Sequence, residues 1–270
     1  MLRLITLIAI LFSGISSPVL AQSYTFSIVP QQSASRLAKQ WNPIMQALSK
    51  ETGHEFIFTT ATNIPTFEER LEKGEYSFAY MNPYHFVVFN ESPGYQALVK
   101  AKDKKIKGII VVRKDSGITK LEQLNDAQLA FPAPAAFAAS ILPQAHLKNN
   151  SVIYTPKYVS SHDSVYLSVS KGFFPAGGGV MRTFNAMDPK VKAQLNPIWT
   201  TNGYTPHAIA AHPSIPIKLR QQVQSFFVEL AKTEEGKNLL DPLKIKAFTK
   251  ASNQDWDDVR ALDINLIAAE

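Results

Sequence analysis

The chain has 270 residues, 45% hydrophobic and 19% charged, with 28 basic against 22 acidic side chains for a formal net charge of +6. This supports a sizeable core in one large or two modest domains, and so thin a positive balance gives only a weak pull on anionic solutes, without the concentrated basic and aromatic surface of a nucleic-acid binder. Cysteine is absent, which excludes disulfides, a thiolate nucleophile, a cysteine-ligated metal and a lipid-attachment cysteine.

Met1-Leu2-Arg3 is a short positive start, Leu4 to Phe12 is apolar, and Ser13, Gly14, Ser16, Ser17 and Pro18 break a helix before Val19-Leu20-Ala21. That layout predicts a secretory signal (residues 1–21) cleaved after Ala21 and a periplasmic mature chain. The apolar run is shorter than the roughly 20 residues of a membrane span, so no stable membrane insertion is expected.

From there strands and helices alternate. Tyr24 to Val29 reads as a first strand, Ser35 to Thr52 as a helix with Leu37, Trp41, Ile44, Met45 and Leu48 at helical spacing, and His54 to Thr60 as a second strand. Thr66 to Lys73 is a short helix stopped by Gly74, Tyr76 to Tyr80 a strand running into the turn Asn82-Pro83, and Tyr95 to Lys100 and Ile106 to Arg113 two more strands. The one local basic run, Lys100, Lys102, Lys104, Lys105 and Lys107, flanks a strand and reads as a solvated loop. After Ser116-Gly117 the pattern restarts. Leu121 to Leu124 is a helical turn, Gln128 to Phe131 a strand, Phe137 to Lys148 a helix, Ser151 to Tyr158 a strand, and His162 to Lys171 a helix closed by Gly172. Gly178 to Arg182 and Asn196 to Thr201 are strands, His207 to Ala211 is a strand returning to the first unit, and Ile217 to Thr233 is an amphipathic helix before a partly helical tail. The alternation predicts an α/β fold with largely parallel sheets. A restart without a flexible linker predicts two α/β lobes joined by crossing hinge strands, with a ligand cleft between them.

Several stretches then carry a family resemblance: Trp41-Asn-Pro43, Gly74-Glu-Tyr-Ser-Phe-Ala-Tyr-Met-Asn-Pro83, Val112-Arg-Lys-Asp-Ser-Gly-Ile118 with Leu121-Glu-Gln-Leu124, Phe131-Pro-Ala-Pro134, Pro143 and Ser160-Ser-His-Asp163. In this order the chain resembles the phosphate/phosphite/phosphonate substrate-binding proteins of ABC importers, the PhnD-like family. The resemblance implies the type II periplasmic-binding-protein fold, with residues 22–109 and 207–270 in one lobe and 110–206 in the other. It implies capture of a small phosphonate- or phosphate-like oxyanion by hinge closure, and an ABC permease as partner. In phosphonate binders a Ser/Thr-rich segment and the following helix start hold the anion. The matching positions here are Ala136, Phe137, Ala138 and Ala139, which carry no side-chain donor. Hydrogen bonds to a charged group are worth about 1.5–3 kcal/mol each, so two missing hydroxyls weaken binding by roughly a hundredfold or more. A family tyrosine falls near Ile64 and another at Phe86, while His162 and Asp163 remain. The expected pocket is therefore more aromatic and less anion-directed than the family pattern.

Candidate ligand-binding residues follow, each with a plainer alternative. Asn82, Tyr84 and His85 sit past a strand, where α/β proteins bind ligands, or form a turn with surface aromatics. Phe137 stacks on a ligand or fills the space left by the hydroxyls. His162, with Asp163, donates to the ligand or neighbours a helix cap. Arg182 holds an anionic group or ends an exposed strand. Tyr204 and His207, flanking Pro206, form a hinge or a cleft wall. His85, His162 and His207 lack a local metal-ligand spacing, so no metal and no cofactor are expected. Lacking GxSxG, HExxH, Walker and GxGxxG motifs, the chain reads as a monomeric binding protein and not an enzyme. Two alternatives keep the fold: an adaptor for a membrane sensor kinase, or a binder of a non-phosphorus molecule.

Overall fold

The computed structural model describes residues 22–264; the expected signal segment and its cleavage site lie outside them. The chain runs through β1 (Ser23–Ile28), α1 (Ala34–Thr52), β2 (Glu55–Thr59), α2 (Ile64–Glu72), β3 (Phe78–Met81), α3 (Pro83–Glu91) and β4 (Gln96–Ala101). A second series follows: β5 (Gly108–Arg113), β6 (Ala127–Phe131), α4 (Leu142–Asn149), β7 (Tyr154–Tyr158), α5 (His162–Ser170), β8 (Ala176–Val180), α6 (Met181–Asn185), α7 (Pro189–Lys192) and β9 (Leu195–Thr200). Then β10 (Ala208–Ala211), α8 (Ile217–Glu229), α9 (Glu234–Leu240) and β11 (Phe248–Lys250) return to the first unit.

Two sheets organise two lobes, in the orders β11-β4-β10-β3-β1-β2 and β7-β6-β8-β5-β9. The first is centred on Phe26, which stacks on Trp41 of α1 at 5.9 Å, on Phe78 at 6.0 Å and meets Phe227 of α8 at 5.7 Å. The five apolar residues that set the period of α1 are all buried, which turns its amphipathic pattern into the main covering of this sheet.

Three features depart from the sequence expectation. Of the nine strand pairs, five are antiparallel, because β10, β11 and β5 run against their neighbours. Periodicity reports a buried strand and not its direction. Asn82-Pro83 opens a helix and not a turn: Asn82 Oδ1 accepts the His85 N–H at 2.8 Å, and Pro83 takes the first helical position. Arg182 lies in α6, just past the strand that was expected to reach it.

The chain passes between lobes twice, through residues 102–107 and 201–207, and the crossovers pair at Ile106 and Tyr204 with N–H to carbonyl distances of 2.8 and 3.0 Å. The segment before α4 is a π-helical turn, Phe137–Ile141, whose carbonyls press onto the second sheet. A Cβ on Gly108 would collide with the Ala138 carbonyl, and one on Gly178 with the Ala139 carbonyl. Gly108 and Gly178 therefore let the turn sit flat on the sheet and hold its place beside the first lobe. Gly178→Ala is expected to cost about 3 kcal/mol by overpacking and to lower Tm by about 10 °C. A thermal melt within ~2 °C of the parent would contradict this packing.

Candidate ligand-binding cleft

Where the carboxyl ends of β1 and β3 meet the second lobe, a seam of buried polar groups crosses the cleft. Gln31 is its hub. Gln31 Oε1 accepts from Arg182 Nη2 at 2.8 Å, its amide nitrogen lies 2.6 Å from His207 Nε2, and its backbone carbonyl accepts the His162 N–H at 3.0 Å. One residue of the first lobe, through its side chain and its backbone carbonyl, thus ties α5, α6 and the second crossover together. His207 stacks on Tyr80 with ring centroids 4.9 Å apart. Asn82 uses its oxygen to cap α3 and its Nδ2 to donate to the Ala135 carbonyl across the cleft at 3.2 Å. Behind His162, its Nδ1 lies 3.1 Å from Thr183 Oγ1, and the Tyr166 hydroxyl lies 2.9 Å from the same oxygen. The Tyr166 hydroxyl also bonds the carbonyl and N–H of Val180 at 3.0 and 2.9 Å, fixing the start of α6.

Two cavities flank this seam and share Ile106 and Val180. The smaller, about 10 Å³, lies between Gln31, Ile64 and Asn82 on one lobe and Ala136 to Ala139 and His162 on the other. That is space for about one water. Phe137, buried and edge-on to Tyr204 at 5.5 Å, fills the rest. The larger, about 180 Å³, is bounded by Tyr80, Arg182, His207, Pro206 and the lysines Lys104, Lys105, Lys107 and Lys244. A more open hollow of about 680 Å³ lies on the outer side of the first lobe between α1 and α8, away from the seam.

Of the residues expected in the cleft, Asn82, Ala136, Phe137, Ala138 and His162 line the smaller cavity and Arg182 and His207 the larger. Tyr204 touches the site through Phe137. Tyr84 and His85 do not line either cavity; both are buried on α3. His85 Nε2 lies 2.7 Å from Glu68 Oε1, so its imidazole serves the packing of α3 on α2. Asp163 turns from the cavities to Arg36 of α1, 3.4 Å away, and this ion pair joins the lobes. Gln31 was missed by sequence reasoning. Its signal was position alone, at the carboxyl end of β1, because a neutral amide carries no other mark. The lysine run, read as a solvated loop, forms one wall of the larger cavity.

Comparison with known proteins agrees with this architecture. Residues 26–256 match the family model described as "ABC transporter, phosphonate, periplasmic substrate-binding protein". A curated relative, the "Phosphate-import protein PhnD" of Mycolicibacterium smegmatis, is 21% identical over 88% of this chain and 84% of its own. The 1.52 Å structure of PhnD1 from Prochlorococcus marinus in complex with methylphosphonate superposes with a TM-score of 0.82 at 18% identity, covering 90% of this chain and 97% of that one. A binding-protein component of an ABC phosphonate transporter from Pseudomonas aeruginosa gives 0.83 at 16% identity, covering 90% and 86%. Those structures share the two-lobed type II periplasmic-binding fold.

Burial, reinforced by the Arg182 charge, lowers the His162 pKa to about 3. The same two causes in the same order, with smaller contributions from His162 and His85, hold His207 well below the usual imidazole value. Burial also pushes the Tyr80 hydroxyl up, with Arg182 opposing. The seam thus holds two neutral imidazoles beside a permanent guanidinium. An unfolded histidine takes up a proton near pH 6.5. The folded protein takes one on His162 only near pH 3, so stability is present at neutral pH and is lost as pH falls through that window. Each such histidine contributes a slope of about 1.4 kcal/mol per pH unit. Urea unfolding at pH 7 and pH 5 is expected to show a marked loss for the parent and a smaller one for His162→Gln. Equal losses would show that His162 is not the buried neutral group described.

Proposed function

We propose a function from one premise: the chain belongs to the family of periplasmic substrate-binding proteins of phosphonate ABC transporters. It serves as the solute receptor of an importer, closing its lobes about the crossovers 102–107 and 201–207 on a small oxyanion and presenting the closed form to a membrane permease. It works as a periplasmic monomer, needs no cofactor and leaves its ligand chemically unchanged.

The observation that carries this reading is the state of Arg182. It lies between the lobes, bonded to the neutral Gln31 and weakly to the Leu243 carbonyl at 3.5 Å, and no ion pair among the described residues involves it. Arg182 is only partly withdrawn from water, and with no carboxylate beside it its charge is left to be matched by a guest. A planar fork of N–H donors is matched by the oxygens of a phosphate or phosphonate. His162, His207 and Tyr80 lie near enough to feel its charge and give it neutral hydrogen-bonding neighbours that discriminate shape without adding charge. Ala136, Phe137 and Ala138 support a departure within the family: where hydroxyls would meet the anion, an aromatic ring occupies the space, and the anion is held from the Arg182 side.

Phosphate, phosphite and methylphosphonate each test this in a thermal-shift series. A bound oxyanion raises Tm by mass action, with about 2.7 kcal/mol of stabilisation at a hundred times its Kd. Arg182→Gln should weaken that binding by about tenfold to a hundredfold while leaving the ligand-free melt near the parent value. Absence of a shift with all three anions, or an unimpaired variant, would sink the reading. Release of inorganic phosphate from any phosphorus compound on incubation would overturn the non-enzymatic role.

A further inference from the structure

The cavity of about 180 Å³ is asymmetric in charge. Its inner end holds Arg182, His207 and Tyr80, and its outer wall is built from the first crossover and the loop after α9. Five cations, Lys104, Lys105, Lys107, Arg182 and Lys244, line it, and no carboxylate does. Two are already neutralised nearby: Lys105 by Asp258 at 3.4 Å and Lys244 by Asp241 at 3.3 Å. Lys104, Lys107 and Arg182 take part in no ion pair among the described residues. On the opposite side of Ile106 and Val180, Phe137 and its alanine neighbours leave about 10 Å³, too little for a ligand substituent. Any group that an Arg182-bound oxyanion carries must therefore point toward the lysines.

We infer that this cavity is a subsite for a second anionic group, and that the preferred solute is a compact molecule bearing two oxyanion groups joined through a short bridge. The inference rests on the oxyanion-receptor reading and adds the substrate class. One oxyanion meets the Arg182 fork and the other meets Lys104 and Lys107 at the mouth. Three unpaired cations match a trianion better than the dianion of a simple alkylphosphonate. At about 180 Å³ the cavity has room for several waters, which admits a phosphonocarboxylate or a diphosphate. Outward from the mouth a more open hollow of about 570 Å³ continues past Lys104 and Lys244 to Lys237, Asp241 and Lys246; Lys237 pairs with Glu234 and Lys244 with Asp241, so Lys104 and Lys246 are what keep this approach weakly positive.

Isothermal titration calorimetry with phosphonoacetate, diphosphate and methylphosphonate tests the inference. Phosphonoacetate or diphosphate should bind about tenfold more tightly than methylphosphonate, and the preferred one of the two identifies the second group as carboxylate or phosphate. In a Lys104→Gln/Lys107→Gln double variant, which alters only exposed side chains, that advantage should shrink to about twofold, with methylphosphonate affinity nearly unchanged. Equal or tighter binding of methylphosphonate by the parent, or the same loss for every anion in the double variant, would overturn the second subsite and leave the receptor role intact. Heat from none of the three would reject the oxyanion reading itself.

Discussion

The structure turns on one junction, the amide of Gln31 held between Arg182 and His207. Its oxygen and nitrogen face opposite ways, so a single neutral side chain at the end of β1 engages a guanidinium from the second lobe and an imidazole from the second crossover. The Gln31 carbonyl adds a third tie through His162. Each bond is worth only about 1 kcal/mol net. Together they set where the second lobe rests on the first, and they determine which groups a guest in the groove would meet. The Arg36–Asp163 ion pair and the Asn82 amide brace the same contact from either side.

That junction is held closed by hydrogen bonds among neutral partners around one uncompensated positive charge. The arrangement suits a receptor. Closure without a guest is possible because Gln31 satisfies the guanidinium, yet it is incomplete because an amide dipole does not neutralise a charge. On the proposed reading an entering anion would supply what is missing, and its affinity difference between open and closed forms would drive the equilibrium toward closure. The aromatic filling at Phe137 follows the same logic from the other side. At positions 136–139 the chain offers volume and apolar surface in place of side-chain donors, and the proposed reading gives the polar work to Arg182. Flat seating of the π turn on Gly108 and Gly178 is what allows that ring to reach the seam.

Much of this was legible in the sequence, and the misses have physical causes. The α1 face from Leu37 to Leu48 declared itself by period, and Ala136, Phe137, Ala138 and Ala139, without a side-chain donor among them, raised the expectation of a more aromatic cleft. The lobes followed from a pattern that restarts without a linker. By contrast, α3 was hidden because Asn-Pro opens turns and helices alike, and only the capping bond of Asn82 decides between them. Strand direction in β5 and β10 depends on the crossovers, which leave no periodic trace. His85 looked like a cleft residue until Glu68 claimed it. The partner of Arg182 lies 151 residues away, and a glutamine carries no charge to advertise it. The lysines at 104, 105 and 107 read as solvated because what turns them into a wall, Lys244 and α6, comes from distant parts of the chain.

The most direct measurement is a crystal structure of the protein grown with saturating methylphosphonate. Density for the phosphonyl oxygens should lie against the Arg182 guanidinium, beside the stacked Tyr80 and His207 rings, with the Gln31–Arg182 bond lengthened or replaced and Phe137 unmoved. An anion seated instead among Ala136, Phe137 and Ala138 after displacement of the ring, or on the outer face of either lobe, would contradict the place given to Arg182.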